Sequence, residues 1–252
     1  MSVDAYLQAI LLRKAVDTGI FSPVRGVQGV MYPIVQQWAT TQLVSVSPSG
    51  SFAKGTANNS GTDIDLFISL KHDTRQTLKE IYDSLFQRMS ERGFPPKHQN
   101  VSMNVKVNGY SVDLVPAKKQ DAYSEDHSLY RRKADTWTKT NVSRHIAVVR
   151  QGGRIFESRI LKLWRDQKEL DFPSFYLELS TIRALYGRTG TLSENVWIVF
   201  QYLRDTFANA RIEDPANTNN IISDDLTAAE KARVRAAAVQ TLTARDWSEI
   251  VR

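Results

Sequence analysis

Three aspartates are the side chains best placed by type and spacing to do chemistry. Asp63 and Asp65 lie two residues apart in Asp63-Ile64-Asp65-Leu66-Phe67-Ile68-Ser69-Leu70. That run reads as a strand, so both carboxylates leave one face with Phe67 and Ser69, and the aliphatic residues point to a core. Asp113 sits between Val112 and Leu114 in a second alternating run, so it too faces away from the core. Carboxylates sharing a face repel unless a cation stands between them. Magnesium takes hard oxygen ligands, usually one or two carboxylates plus substrate phosphates. If the two strands are neighbours, the three carboxylates converge and can hold two ions ~4 Å apart, the arrangement that clamps both oxygens of an in-line phosphoryl transfer. An Asp-x-Asp pair alone is more often a strand end with solvated carboxylates, so the surroundings decide.

The loop Ser47-Pro48-Ser49-Gly50-Ser51 follows a short apolar strand at 43–46. A glycine there lets backbone N–H groups approach a phosphate closely, and the Ser51 hydroxyl adds a donor. Lys54 and Thr56 flank Gly55, at the expected start of a short helix whose N-terminus would favour an anion. Gly50 and Gly55 have the glycine spacing of a Walker A loop. That motif requires Gly-Lys-Ser/Thr, and here the lysine precedes Gly55, so the P-loop reading fails.

The elements that must position these residues are legible from periodicity. Helical spacing appears at 4–15 and 27–40, interrupted by Gly19 and Ser22-Pro23. The clearest helix spans 74–92, where Leu78, Ile81, Tyr82, Leu85, Phe86 and Met89 form one stripe. Gly93 and Pro95-Pro96 end it. Runs 101–107 and 110–115 flank Asn108-Gly109, a type I′ hairpin signal. Beyond about residue 125 strand signals fade. Helical patterns follow at 154–170, 174–187, 193–209 and 227–245, the last opening with the capping box Thr227-Ala228-Ala229-Glu230. The expected class is α+β: helices and an α/β lobe over 1–125, then a helical lobe over 126–252, with the active site in a cleft between them.

Gly50-Ser51-Phe52-Ala53-Lys54-Gly55-Thr56, then Thr62-Asp63-Ile64-Asp65-Leu66, then Val112-Asp113-Leu114-Val115, resemble the DNA polymerase β superfamily of nucleotidyltransferases. Its signature is a Gly-Ser loop, an Asp-x-Asp pair and a later third Asp; Thr62 departs from the usual Ser but keeps the hydroxyl. Leu161-Lys162-Leu163-Trp164, Ser174-Phe175-Tyr176-Leu177-Glu178 and Asp214-Pro215-Ala216-Asn217-Thr218-Asn219-Asn220 resemble the bacterial CD-NTases, relatives of cyclic GMP–AMP synthase and the 2′-5′ oligoadenylate synthases. The resemblance implies a polymerase β-like lobe with a small mixed sheet. It also implies two magnesium ions on Asp63, Asp65 and Asp113, replaceable by manganese, and nucleoside triphosphates, ATP among them, as substrates. Lys162 and Ser174 would bind the triphosphate tail. Phe175 or Tyr176 would stack on the base, although core packing explains either aromatic equally well. The Asp214–Asn220 segment would close beside the nucleotide. The implied product is a cyclic or short linear oligonucleotide messenger of the kind used in anti-phage defence. Transfer to another acceptor such as a tRNA 3′ end, or a catalytically silent nucleic-acid sensor, are the rival readings.

Composition limits the remainder. The 252 residues contain no cysteine, which excludes disulfides, thiol catalysis and cysteine zinc sites. The four histidines, His72, His98, His127 and His145, are scattered without zinc spacing. No apolar run approaches the ~20 residues of a membrane helix, so a soluble, cytoplasmic, monomeric protein is expected. The net charge of +6 suits polyanionic ligands without choosing among them. Its richest cluster, Arg131-Arg132-Lys133, is too short to indicate a nucleic-acid or protein activator.

Overall fold

The computed structural model describes residues 2–59 and 63–252; Thr62 lies outside the described residues. In chain order the first half carries α1 (Val3–Arg13), α2 (Pro23–Ala39), β1 (Leu43–Pro48), α3 (Gly50–Lys54), β2 (Ile64–Leu70) and α4 (Leu78–Glu91). Strands β3 (Lys97–His98), β4 (Met103–Val107), β5 (Tyr110–Lys119), β6 (His127–Arg131) and β7 (Thr136–Thr140) follow. The remainder is α5 (Val142–Gln151), α6 (Ile155–Gln167), α7 (Ser174–Ala184), α8 (Leu192–Asp205), β8 (Glu213–Asp214), β9 (Asn217–Ile221) and α9 (Ala228–Thr241).

These elements form two compact units. One is Val16–Lys54 with Gly61–His145; the other is Met1–Ala15, Gly55–Ser60 and Ile146–Arg252. The division expected at residue 125 is therefore corrected at two places. Strands β6 and β7 extend the sheet, because His127 and Ser128 pair with Lys119 and Lys118 of β5. Helix α1 belongs to the helical unit, where Leu7, Ile10 and Leu11 join its core.

In the sheet unit the strand order is β1-β2-β5-β4-β3, with β6 on the far end of β5 and β7 beyond it. Strands β2 and β5 run parallel, and the other pairs are antiparallel. The hairpin between β4 and β5 turns at Asn108 and Gly109, with φ of 51° and 84°, the positive pair a type I′ turn requires. One sheet face is apolar throughout. Ile64, Leu66, Ile68 and Leu70 of β2 meet Val112 and Leu114 of β5, and α2 and α4 cover them with Val27, Met31, Val35, Ile81, Tyr82, Leu85 and Met89. Helix α4 starts at Leu78 because Thr77 and Glu80 complete a capping box. Helix α2 starts earlier than its apolar spacing indicated: Ser22 is its N-cap and Pro23 its first residue, so this dipeptide opens the helix instead of interrupting it.

The opposite sheet face carries the aspartates and a small apolar cluster of Phe67, Ala117 and Leu129, with Val101, Val115 and Val142 packed against it. In the helical unit, α1, α6, α7, α8 and α9 enclose Trp164, Phe172, Tyr176, Phe200 and Phe207. The Trp164 indole N–H, buried with them, donates to Thr241 Oγ1 at 2.8 Å. Among the described residues no helix is long and apolar enough to cross a membrane.

Candidate active site

The site is assembled by the register of two parallel strands. Asp65 of β2 pairs with Asp113 of β5. Since Ile64, Leu66, Val112 and Leu114 fill the core face, the alternating aspartates lie on the other. Asp63 immediately precedes β2 and is exposed, whereas Asp65 and Asp113 are half-buried. Asp65 and Asp113 thus share the opposite sheet face, and Asp63 lies near enough for its charge to act on Asp113.

The glycine-serine loop abuts the same place. Ser49 N donates to the Asp65 carbonyl at 2.8 Å, which carries the β1–β2 pairing up to the loop. Gly50 then turns with φ +54°, and a Cβ built on it would stand 1.7 Å from Asp65 Oδ2. Only a residue without a side chain lets the backbone pass so close to this carboxylate. The short helix here runs Gly50–Lys54 and stops before Gly55, whose φ is +82°. The expectation of a helix beginning near Lys54 is therefore corrected: Gly55 ends one.

The electrostatics are those of crowded acids. Asp113 has its carboxyl pushed above the usual range, first by burial and further by the negative charge of Asp63, against hydrogen bonds from Asn104 and Gln99 that pull it down. Asn104 Nδ2 donates to Asp113 Oδ1 at 2.7 Å and Gln99 Nε2 to the same oxygen at 3.1 Å. Neither amide was singled out in the sequence. The signal available was Asn104 in a hairpin strand, whose register opposite Asp113 follows from counting back across Asn108-Gly109.

The donor set fits a hard divalent cation. It consists of carboxylate oxygens, with charges whose mutual repulsion such an ion would relieve. Among the described residues, no three Asp, Glu or His side chains already converge closely enough to grip one ion.

The other expected nucleotide-binding residues divide into two groups. Thr56 and Lys162 belong with Glu178 in a buried cluster of the helical unit, at 0%, 4% and 0% exposure. Lys162 Nζ donates to Glu178 Oε1 at 2.6 Å, to Thr56 Oγ1 at 2.9 Å and to the Thr56 carbonyl at 3.3 Å. The Thr56 hydroxyl in turn donates to Glu178. Both side chains sit inside this buried cluster, where the sequence had placed them on the triphosphate. Tyr176 is corrected. It is fully buried against Phe172 and Phe207 and cannot stack on a base.

Ser174 and Phe175, at the start of α7, remain partly accessible. The Ser174 hydroxyl accepts from Arg165 Nη1 at 2.9 Å, and Phe175 packs against the core edge. Ser51 is half-buried and Lys54 buried. Asp214 is buried, with Oδ1 accepting from Ala216 N and Oδ2 from Asn220 Nδ2, which shapes the β8–β9 turn. Of the histidines, His127 is buried with Nε2 2.8 Å from Ser69 Oγ, and His98 stacks on Phe86; both have structural partners.

Comparison with known proteins identifies the family and the fold. The family model described as "Nucleotidyltransferase domain" matches residues 34–162. A curated relative, cyclic AMP-AMP-AMP synthase of Escherichia coli (strain MS 115-1), is 27% identical over 208 residues, 72% of this chain and 64% of that protein. The chain thus spans under two thirds of that relative's length. The structure of E. coli MS115-1 CdnC with ATP superimposes with a TM-score of 0.74 at 20% identity, over 94% of this chain and 89% of that one. Elizabethkingia meningoseptica CdnE cyclic dinucleotide synthase, with GTP and Apcpp, gives 0.75 at 13% identity, over 97% and 100%. The fold is that of the CD-NTases, the polymerase β-like architecture.

Proposed function

The chain belongs to the nucleotidyltransferase domain family, and from that premise we propose that it joins nucleoside triphosphates into a cyclic or short linear oligonucleotide with release of pyrophosphate. The observation that carries the reading is the pairing of Asp65 with Asp113 on adjacent parallel strands, with the Gly50 backbone against Asp65. A pair of carboxylates beside a glycine loop supports that reading.

The reaction forms a bond from a ribose hydroxyl oxygen of one nucleotide to the α-phosphorus of another and breaks the α–β phosphoanhydride. Asp63, Asp65 and Asp113 would hold two magnesium or manganese ions, which supply neutralisation of phosphate charge and acidify the attacking hydroxyl. Asp113 takes the hydroxyl proton on its carboxylate. Gly50 and Ser51 present backbone N–H groups and a hydroxyl to the phosphates. Ser174 is assigned to the triphosphate and Phe175 to the base, since both stay accessible at one helix start.

The test is incubation of the purified chain with all four nucleoside triphosphates and magnesium or manganese, followed by phosphatase treatment and mass spectrometry. A phosphatase-resistant cyclic or short linear oligonucleotide supports the reading. Pyrophosphate release without such a product moves the assignment to another acceptor, with tRNA tested next. Salt-dependent nucleic-acid binding without any turnover would replace it with the silent-sensor reading.

A further inference from the structure

The two oxygens of Asp113 are not equivalent. Oδ1 accepts from two side-chain amides, Asn104 Nδ2 at 2.7 Å and Gln99 Nε2 at 3.1 Å, while no described residue bonds Oδ2. Both amides are themselves fixed. Asn104 Nδ2 also donates to Ser111 Oγ at 2.8 Å, so its amide is held between two strand neighbours of β5. The Gln99 side-chain oxygen accepts from the Ser102 hydroxyl. The Gln99 carbonyl accepts from Tyr82 Oη at 3.3 Å and from Arg132 Nε at 3.3 Å. Arg132 N and Lys133 N bind the neighbouring Asn100 at its carbonyl and Oδ1. The exposed basic tip between β6 and β7 is thereby tied to the loop that carries Gln99.

A carboxylate with two donors on one oxygen has lost its torsional freedom, and the lone pairs of its other oxygen are aimed in one direction. The geometry points to Gln99 and Asn104 as positioning residues for the reaction: they occupy Oδ1 of Asp113 and leave Oδ2 as the oxygen that faces cation and substrate. The inference rests on the nucleotidyl-transfer reading given above. Neither amide touches substrate in this account; each acts through Asp113.

Two near-isosteric neutral substitutions remove the donors without adding charge, Gln99→Met and Asn104→Leu, with Asp113→Asn as the benchmark. Manganese(II) is titrated into the full chain with a non-hydrolysable ATP analogue and followed by electron paramagnetic resonance, and kcat and KM are measured in parallel. Each single variant is expected to lose about 10-fold in manganese affinity and in kcat, and the double variant about 100-fold, the range seen when partners of metal-holding carboxylates are removed. KM for the nucleotide should stay within about threefold, since nothing that binds the nucleotide directly is altered. Thermal melts separate this from misfolding, and if the double variant does not fold the two singles decide. Singles that melt like wild type and keep wild-type manganese affinity and kcat overturn the inference alone. A wild type that binds no manganese and forms no product overturns the transfer reading beneath it.

Discussion

Replacing Gly50 by alanine separates two costs that the structure keeps distinct. At φ +54° the new side chain pays the left-handed penalty of about 1–2 kcal/mol. For a chain of this size that lowers Tm by about 2–8 °C. The second cost is local. The Cβ would lie 1.7 Å from Asp65 Oδ2 and 2.6 Å from its Cγ, where real contacts begin at 3.0 Å. Either the carboxylate or the loop backbone must retreat by roughly 1 Å, and a displacement of that size at reacting groups costs about 100-fold in rate. Gly55→Ala supplies the control, because that glycine has φ +82° with nothing within 4 Å of the added carbon. It carries the backbone penalty without the collision. Thermal melts should therefore show a Tm loss for Gly50→Ala at least as large as for Gly55→Ala, and pyrophosphate release should show kcat/KM down about 100-fold for Gly50→Ala and nearly unchanged for Gly55→Ala. Wild-type turnover in a folded Gly50→Ala protein would refute the claim that the loop and Asp65 form one site.

Three further outcomes follow from the same geometry. Glu178→Ala should destabilise by about 3–5 kcal/mol in urea titrations, because it removes the buried carboxylate paired with the Lys162 ammonium, whereas the double variant Lys162→Met with Glu178→Leu should recover most of that loss. Tyr176→Phe should leave activity intact and hold or raise Tm by calorimetry, since the buried Tyr176 hydroxyl has no hydrogen-bond partner among the described residues; a large fall in kcat/KM would restore its base-stacking role. Burial and Asp63 raise the folded-state pKa of Asp113 above its unfolded value, so the native state binds the extra proton and stability falls as pH rises from the ordinary aspartate range through the folded value. Asp113→Asn should accordingly raise Tm at neutral pH in metal-free buffer, with the gain disappearing in acid; an unchanged or lowered neutral Tm contradicts it.

The parts of the molecule that were legible in the sequence are those whose signal is local. The alternation around Asp63 and Asp65, the stripe of α4 and the Asn108-Gly109 turn each state their own geometry in a few residues, and the structure follows them. The parallel pairing of β2 with β5 was a condition in the sequence, because nothing in either strand names its neighbour; the structure supplies it. Strands β6 and β7 went unread. Their pairing runs between short mixed segments, His127-Ser128-Leu129-Tyr130-Arg131 and Thr136-Trp137-Thr138-Lys139-Thr140, with no clean apolar alternation. Burial was equally hidden for charged residues. Lys162 has the spacing of a solvated helix lysine, and only its partners, 106 and 16 residues away at Thr56 and Glu178, place it inside. The amides of Gln99 and Asn104 matter through what they touch, which single-residue chemistry does not reveal.

The most direct test of the central claim is pyrophosphate release from nucleoside triphosphates by wild type beside Asp63→Asn, Asp65→Asn and Asp113→Asn, with circular dichroism confirming each fold. The account predicts steady release by wild type and loss of nearly all of it in each variant, with the fold retained. A folded variant that still turns over at the wild-type rate would show that the three aspartates are not the catalytic centre.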